Sequence, residues 1–144
     1  LLCFADCVPI VLTAPGAFAV VHSGWRGTIA RIGGKAVDVL CHAAGCVPAE
    51  VSAYVGPHIS GEDYEVSQEL LERFENEFGT MVRVRGTSRN LSLSAAIRAT
   101  LVDAGVRSCQ IVDAAVSTAT NVDRFFSYRA EGGRTGRHAA IAWL

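Results

Sequence analysis

Lysine, methionine and long apolar runs are all scarce in this chain. Lys35 is the single lysine among 13 basic residues, and Met81 is the single methionine. No apolar run approaches the roughly 18 residues that a membrane span requires. No basic segment followed by an apolar one opens the chain, as a secretory signal would. On this pattern we expect a cytoplasmic protein that has no membrane partner.

Charge is also limited. Charged residues make up 19% of the chain, and the formal net charge is -1. This balance produces no general attraction to nucleic acid, so we expect no nucleic-acid partner. All basic residues except Lys35 are arginines. Codon bias explains such a ratio, but the forked donors of arginine also suit phosphate or carboxylate binding, and both interpretations stay open.

Two sequence signatures are missing. The five cysteines are odd in number and sit mostly in apolar surroundings, which is unlike a secreted disulfide framework and favours a reducing compartment. Neither GxGxxG nor GxxxxGK[ST] occurs, so the chain lacks the glycine-rich phosphate loops that such motifs form. Any phosphate site must therefore be built differently.

The length and the hydrophobic pattern predict one domain spanning residues 1–144. Because the sequence opens on Leu1 and its single methionine is Met81, an N-terminal segment is expected to be missing. Strands alternate with helices, and a hairpin near the start argues against a purely parallel sheet. We therefore predict an α+β fold in which a mixed β-sheet sandwich core is flanked by about three helices. The predicted strands are 1–5, 10–13, 17–21, 51–55, 81–84, 109–116 (central and covered on both faces) and 139–144. The predicted helices are 28–44 (capped by Thr28), 67–78 (capped by Ser67) and a third that begins at Asn90 or Ser92 and ends at Gly105.

The hairpin brings together two side chains that can bind a metal or take part in catalysis. Cys7 precedes one arm and His22 ends the other, with Pro15-Gly16 as the turn between the arms. Each residue alone is often structural, but together a thiol and an imidazole form either a partial metal site or a catalytic pair. Catalytic zinc normally takes three protein ligands. Three further histidines are candidates for the third ligand: His42, His58 and His138.

Other clusters compete with this pair. Cys3 lies about 13 Å from Cys7 along an extended segment, so the two cannot share an ion without a bend. Cys41 and Cys46 flank His42, but a continuous helix would turn the two thiols roughly 140° apart, which disfavours a metal site. Four arginines follow one another in a polar stretch that is either a solvated loop or an anion pocket. They are Arg124, Arg129, Arg134 and Arg137.

Several blocks of the sequence resemble one protein family. Residues 5–9 read ADCVP, residues 22–27 read HSGWRG, residues 64–66 read YEV, residues 125–129 read FFSYR and residues 135–137 read TGR. Together they resemble the YfiH family, also described as laccase-domain or multicopper polyphenol oxidoreductase-like proteins. The blocks follow the family order over essentially the whole chain. Two positions depart from the family pattern, because Asp63 and Ser117 stand where cysteines are common.

This resemblance implies a zinc-dependent purine nucleoside phosphorylase that acts on adenosine, inosine and guanosine with phosphate, and that also deaminates adenosine. It assigns the metal to Cys7, His22 and a histidine from a family block upstream of residue 5, which this sequence does not include. It also implies a sandwich fold with flanking helices. Purine nucleosides and phosphate are therefore the expected partners, and a monomer or homodimer is the expected assembly.

On this basis we expect Cys7, His22, Arg26 and Asp6 to be catalytic. Arg26 is the first choice for binding phosphate and Arg129 the second, while Asp6 either orients a ligand or acts as a base. One alternative makes Cys7 a nucleophile and His22 its base, in a hydrolase that edits peptidoglycan precursors. The other alternative, a copper-dependent polyphenol oxidase, needs more histidines than the four present.

Overall fold

The computed structural model describes residues 1–143, and its regular elements are numbered here in chain order. The strands are β1 (Leu2–Phe4), β2 (Val8–Ala14), β3 (Ala17–Ser23), β4 (Ser52–Val55), β5 (Ile111–Asp113) and β6 (His138–Ala140). The helices are α1 (Trp25–Ile29), α2 (Ile32–Ala44), α3 (Gln68–Phe78) and α4 (Leu93–Asp103).

The strands form two sheets. The larger one has the order β3-β2-β4-β5, in which β2 runs antiparallel to both of its neighbours and β4 runs parallel to β5. The smaller sheet pairs β1 with β6 in antiparallel fashion, so it joins the two ends of the chain. This arrangement confirms the predicted α+β class with a mixed sheet, although the described residues form four helices, where about three were predicted.

The predicted hairpin is present and sets the register at its open end. Strands β2 and β3 pair from Ala14 opposite Ala17 to Val8 opposite Ser23, with Pro15-Gly16 in the turn. Gly16 adopts φ 71°, a left-handed conformation that a residue without Cβ takes at little cost. Because Pro9 pairs with His22, Cys7 lies just beyond the end of the ladder next to the end of β3.

The core lies on one face of the larger sheet, under helices α2 and α4. Ile10 and Leu12 point into it from β2 and are fully buried. Two adjacent glycines in α2, Gly33 and Gly34, pack closely against neighbouring elements. A Cβ on Gly33 would lie 3.5 Å from Cδ1 of Ile10, and one on Gly34 would lie 3.2 Å from Cγ2 of Thr100. The two glycines therefore let α2 approach both the sheet and α4.

The predicted helix from Thr28 to residue 44 is broken in two. Helix α1 begins at Trp25 and ends at Ile29, and Arg31 then adopts φ 56°, which interrupts the helical path before α2. Thr28 does not cap a helix. It lies inside α1, donates a hydrogen bond of 3.0 Å to the carbonyl of Gly24, and lies 2.8 Å from the hydroxyl of Ser23.

The other helix boundaries agree closely with the sequence pattern. Ser67 caps α3, because its hydroxyl accepts a hydrogen bond of 3.2 Å from the N–H of Leu70, and Ser92 caps α4 in the same way. Gly45 and Gly79 follow α2 and α3 with positive φ angles, as expected for glycines that end helices.

Three predicted strands differ from the structure. Residues 81–84 form no strand, because Thr80–Val82 is a 3₁₀ turn and Arg83 makes only an isolated antiparallel bridge to Leu91. The run from 109 to 116 shortens to β5, which lies at the sheet edge with Val112 57% exposed. Its apolar composition predicted burial on both faces, but nothing among residues 1–143 covers the outer one. The closing strand is only β6, and residue 144 of the predicted range lies outside the described residues.

Within residues 1–143, no helix combines the length and the apolar character needed to cross a membrane.

Candidate active site

A cavity of about 440 Å³ opens where the hairpin meets the long polar loop that precedes β6. Its walls combine potential metal ligands, cationic groups and aromatic rings. The residues that line it are Cys3, Ala5, Asp6, Cys7, His22, Trp25, Tyr64, Tyr128, Arg129 and Arg137. The hairpin supplies the thiol and the imidazole, whereas residues more than 40 positions away supply the tyrosines and arginines.

Cys7 and His22 both face this cavity, so the structure brings the two predicted metal ligands to one place. The imidazole of His22 stacks on the buried ring of Phe4 with centroids 4.8 Å apart and an interplanar angle of 30°, which fixes its orientation. The thiol of Cys7 is half-buried, and a Cβ placed on Gly24 would lie only 3.0 Å from its Sγ. Glycine at position 24 therefore leaves room for the sulfur.

The electrostatic surroundings of Cys7 favour the protonated thiol when no metal is bound. Burial, and then the negative charge of Asp6, raise the pKa of Cys7, while the positive charge of Arg137 acts in the opposite direction. A free nucleophilic cysteine usually has a lowered pKa, a feature that Cys7 lacks. A metal that bound Cys7 would have to displace its proton.

Asp6 connects the hairpin to the distant loop. It is buried, adopts φ 81°, and uses both carboxylate oxygens in hydrogen bonds. Oδ1 accepts from the hydroxyl of Thr118 at 2.7 Å, and Oδ2 accepts from the backbone N–H of Arg129 at 2.7 Å. Because both oxygens are occupied, these contacts fit a positioning role better than that of a base.

Arg129 and Arg137 are the cationic groups of the cavity. The Cζ of Arg129 lies 5.0 Å from the ring centre of Tyr64, and its Nη1 donates a hydrogen bond of 2.8 Å to the carbonyl of Glu65. These contacts hold the guanidinium against one wall. Burial raises the pKa of Tyr64, and the charge of Arg129 partly offsets that rise, so the phenol remains a neutral hydrogen-bond donor at neutral pH.

Arg26, the first choice for phosphate binding, does not line the cavity. Its Cζ lies 4.4 Å from the ring centre of Trp25, and its side chain is exposed on α1. The indole ring of Trp25 itself lines the cavity. In this loop Trp25 therefore contributes to the cavity wall, whereas the guanidinium of Arg26 packs against the indole.

None of the three other histidines reaches this cavity. His42 is exposed on α2. His58 is buried, and its Nδ1 lies 2.8 Å from the carbonyl oxygen of Gly56. His138 packs against Phe4 and Phe125 and lines a different cavity. Across residues 1–143 no group of three or more His, Cys, Asp or Glu side chains is arranged to hold a metal ion.

Cys3, on β1, lines the same cavity as Cys7. The backbone turns between them at Asp6, which adopts φ 81°. A lone left-handed aspartate leaves little trace in a sequence, so pattern analysis could not reveal it.

The two departures from the family pattern touch one another. Ser117 donates a hydrogen bond of 2.5 Å from its hydroxyl to Oδ2 of Asp63, and it also accepts one of 3.2 Å from the N–H of Ser60. The pair ties the segment after β4 to the segment after β5. Asp63 and Ser117, which are far apart in the sequence and both depart from the family pattern, thus form one polar contact in the folded chain.

Three aromatic residues that line the cavity were not singled out from the sequence. They are Trp25, Tyr64 and Tyr128. Each lies inside a block that carried the family resemblance, so that resemblance was the available signal. Their convergence depends on the bond between Asp6 and Arg129, which joins residues 123 positions apart.

Comparison with known proteins identifies the family. Residues 1–144 match the family model described as multi-copper polyphenol oxidoreductase laccase. The chain belongs to this laccase-like family. It is 37% identical over 143 residues to a purine nucleoside phosphorylase of Deinococcus radiodurans, a match that covers 97% of this chain and 54% of that protein. It is also 39% identical over 140 residues to an adenosine deaminase, RL5, from an unknown prokaryotic organism, covering 92% of this chain and 53% of that protein.

Solved structures of family members have the same fold. The chain superposes on a hypothetical protein YfiH of Bacillus licheniformis with a TM-score of 0.85 at 31% identity, covering 94% of this chain and 53% of that one. It superposes on YlmD of Geobacillus stearothermophilus with a TM-score of 0.83 at 33% identity, covering the same shares. The laccase-like chain thus spans about half the length of the relatives that it matches.

Proposed function

We propose that this laccase-like chain carries the zinc-binding and phosphate-binding residues of a purine nucleoside phosphorylase that also deaminates adenosine. One observation carries the proposal. A thiol and an imidazole line the same cavity as two arginines and three large aromatic side chains. Among the relatives, one is named as a purine nucleoside phosphorylase and another as an adenosine deaminase.

Cys7 and His22 would hold the metal. Thiolate sulfur and imidazole nitrogen are donors that suit zinc, but they fall one short of the three protein ligands usual in a catalytic site. Because no third donor is in reach among residues 1–143, the proposal requires one from a polypeptide segment outside this range. When bound there, zinc acts as a Lewis acid. Copper is the less favoured metal, because copper sites with thiolate ligands also draw on more than one histidine.

Arg129 and Arg137 would bind the phosphate. In phosphorolysis an oxygen of phosphate forms a bond to the anomeric carbon of the ribose, the bond from that carbon to N9 breaks, and the purine leaves with the electron pair and takes up a proton. Two guanidinium groups supply paired donors for the phosphate oxygens. Asp6 acts indirectly, because its bond to the N–H of Arg129 holds the loop that carries both arginines.

The aromatic residues would bind the nucleoside. Trp25 and Tyr64 offer flat apolar faces against which a purine can pack, and Tyr128 adds a third ring at the wall. The hydroxyl groups of the tyrosines are suited to hydrogen bonds with the ribose or the base. The cavity therefore combines a surface for the base with cationic groups for the phosphate.

The test is formation of ribose 1-phosphate from inosine and phosphate, and of ammonia from adenosine. It uses the chain as given and any longer natural polypeptide that contains it, each with and without added zinc. The proposal expects both products in at least one of these forms, and a loss of more than about a hundredfold for Cys7→Ala. Full activity of Cys7→Ala, or no ribose 1-phosphate from any zinc-loaded form, would overturn it.

The same assay separates the proposal from the cysteine hydrolase. A Cys7 nucleophile with His22 as base would be inactivated by thiol alkylation and would survive a chelator. A zinc site loses activity with a chelator and recovers it when zinc is returned. The response to the chelator and to alkylation therefore distinguishes the two mechanisms, because both need the thiolate of Cys7.

A further inference from the structure

The C-terminal end of α2 carries two cysteines that the proposed reaction does not use. Helix α2 ends at Ala44, and Gly45 then adopts φ 65° and ψ 29°, a left-handed conformation that reverses the chain. The N–H of Cys46 donates a hydrogen bond of 3.1 Å to the carbonyl of Cys41. A bond that spans six residues around a left-handed glycine is the mark of a Schellman turn.

This turn changes the expected relation between the two thiols. A continuous helix would separate the side chains at positions 41 and 46 by roughly 140°. In a Schellman turn, however, the residue just after the glycine donates its N–H to the carbonyl of the residue five positions earlier. The side chains of these two residues are frequently in contact. Cys41 and Cys46 occupy these two positions.

Cys46 is more exposed to solvent than Cys41. Cys41 is only 8% exposed and belongs to the hydrophobic core, whereas Cys46 is partly exposed and packs against that core. Burial and the neighbouring Cys46 thiol raise the pKa of Cys41 to about 11. Cys46 is therefore the thiol that a dissolved oxidant reaches first, with Cys41 next to it as its resolving partner. Both are free thiols here.

We propose that Cys41 and Cys46 are a site of reversible disulfide formation, which a peroxide closes and a dithiol reductant opens. The thiolate of Cys46 attacks one oxygen of hydrogen peroxide and breaks the O–O bond, giving a sulfenic acid and, with one proton, water. The sulfur of Cys41 then attacks the sulfenic sulfur, loses its proton and releases a second water. Two thiols are oxidised and one peroxide is reduced. The reverse step transfers the bridge to the reductant by thiol–disulfide exchange.

The bridge would fasten the last turn of α2 to the segment that leads into β4. It lies outside the cavity that holds Cys7, so the two cysteine sites are separate. Closure would tie the two ends of a turn that a backbone hydrogen bond already holds. We therefore expect the folded chain to form this bridge more readily than the denatured chain.

The experiment exposes the folded, reduced chain to a small excess of hydrogen peroxide, then alkylates the remaining thiols and digests the chain with trypsin. Cleavage after Lys35 and Arg73 releases residues 36–73, which contain Cys41 and Cys46 and no other cysteine. The expected product is this peptide about 2 Da lighter than its reduced form and without alkyl groups, as one intramolecular disulfide requires. A dithiol reductant should restore two alkylation sites.

The controls test whether geometry directs the bridge. Cys46→Ser and, separately, Cys41→Ala should abolish the lighter peptide, whereas Cys109→Ser, at an exposed cysteine on the same chain, should leave its yield unchanged. Since Cys46 is partly exposed, its replacement tests the idea even if the core variant fails to fold. In concentrated denaturant the preference for this pair should fall severalfold. Two alkylated cysteines in residues 36–73 after oxidation, or equal yields in folded and denatured protein, would overturn the proposal.

Discussion

The backbone N–H of Arg129 donates a hydrogen bond of 2.7 Å to Oδ2 of Asp6, a residue 123 positions earlier in the chain. The other oxygen of the same carboxylate accepts from Thr118 at 2.7 Å. One buried side chain thus holds three distant segments around the cavity: the entrance to β2, the segment after β5 and the arginine-bearing loop. Through this contact, folding brings the cationic groups to the cysteine and the histidine.

Replacing Asp6 with Asn should destabilise the chain and weaken phosphate use together. One amide oxygen can still accept from Thr118, but the amide nitrogen would then face the N–H of Arg129, donor against donor. We expect a loss of about 2 kcal/mol in the free energy of unfolding, the scale of a buried hydrogen bond to a charged group. Urea denaturation measures it, with Asp38→Asn on the exposed side of α2 as control. Equal stability of the two variants would contradict the positioning role.

The roles of the arginines in phosphate binding can be tested one residue at a time, because some line the cavity and others do not. Arg129→Ala and Arg137→Ala should each raise the KM for phosphate by roughly tenfold or more, since each removes charge-assisted donors from the cavity wall. Arg134→Ala is the matched control, because that side chain belongs to the same loop but does not line the cavity. Steady-state kinetics with phosphate as the varied substrate checks this. An equal effect at position 134 would mean that the whole loop acts as a diffuse cationic surface.

Gly24→Ala tests the space around the thiol. The backbone at Gly24 has φ -82°, which alanine adopts freely, so any effect comes from the new Cβ, 3.0 Å from Sγ of Cys7. We expect zinc affinity to fall by roughly tenfold or more, as for other changes that displace a metal ligand. Gly27→Ala is the control, since its Cβ would first meet the flexible side chain of Ile32 at 3.3 Å. Competition with a chromophoric chelator measures both affinities, and unchanged affinity in Gly24→Ala would count against Cys7 as a ligand.

Much of this fold follows from local sequence signals, and the elements that were predicted wrongly depend on distant contacts. Serine caps and terminal glycines fixed the ends of α3 and α4, and Pro15-Gly16 fixed the hairpin, because these residues act on their own neighbours. The run from 109 to 116 was wrongly predicted as a central strand, since an apolar run does not reveal whether anything covers its outer face.

The candidate site divides in the same way. The approach of Cys7 to His22 follows from the hairpin register, which the sequence indicates. The arrival of Arg137 and Tyr128 at the cavity depends on contacts with residues more than a hundred positions away, and no local pattern encodes them. Arg26 was expected at the site because its neighbours carry a motif, but its guanidinium packs against the ring of Trp25 and does not line the cavity.

The raised pKa of Cys41 predicts a pH effect on stability. In the unfolded chain this thiol ionises near its ordinary value of 9.0, whereas in the folded chain it stays protonated until about 11. Its contribution to stability is therefore complete below pH 9.0 and is lost as the pH rises through about 11. The loss is on the order of 2 kcal/mol, and Cys41→Ala should remove that part of the slope. Urea denaturation of the unmodified chain and of Cys41→Ala at a series of alkaline pH values measures it. If the free energy of unfolding falls with pH equally in both chains, this assignment is contradicted.

The proposed metal centre requires that Cys7 and His22 bind one zinc ion together. X-ray absorption at the zinc edge of the zinc-loaded protein reports the atoms bound to the metal. We predict one sulfur at about 2.3 Å together with imidazole nitrogen at about 2.0 Å, and loss of the sulfur in Cys7→Ser. A shell made only of nitrogen and oxygen in the unmodified protein, or a sulfur that remains in Cys7→Ser, would contradict the central claim.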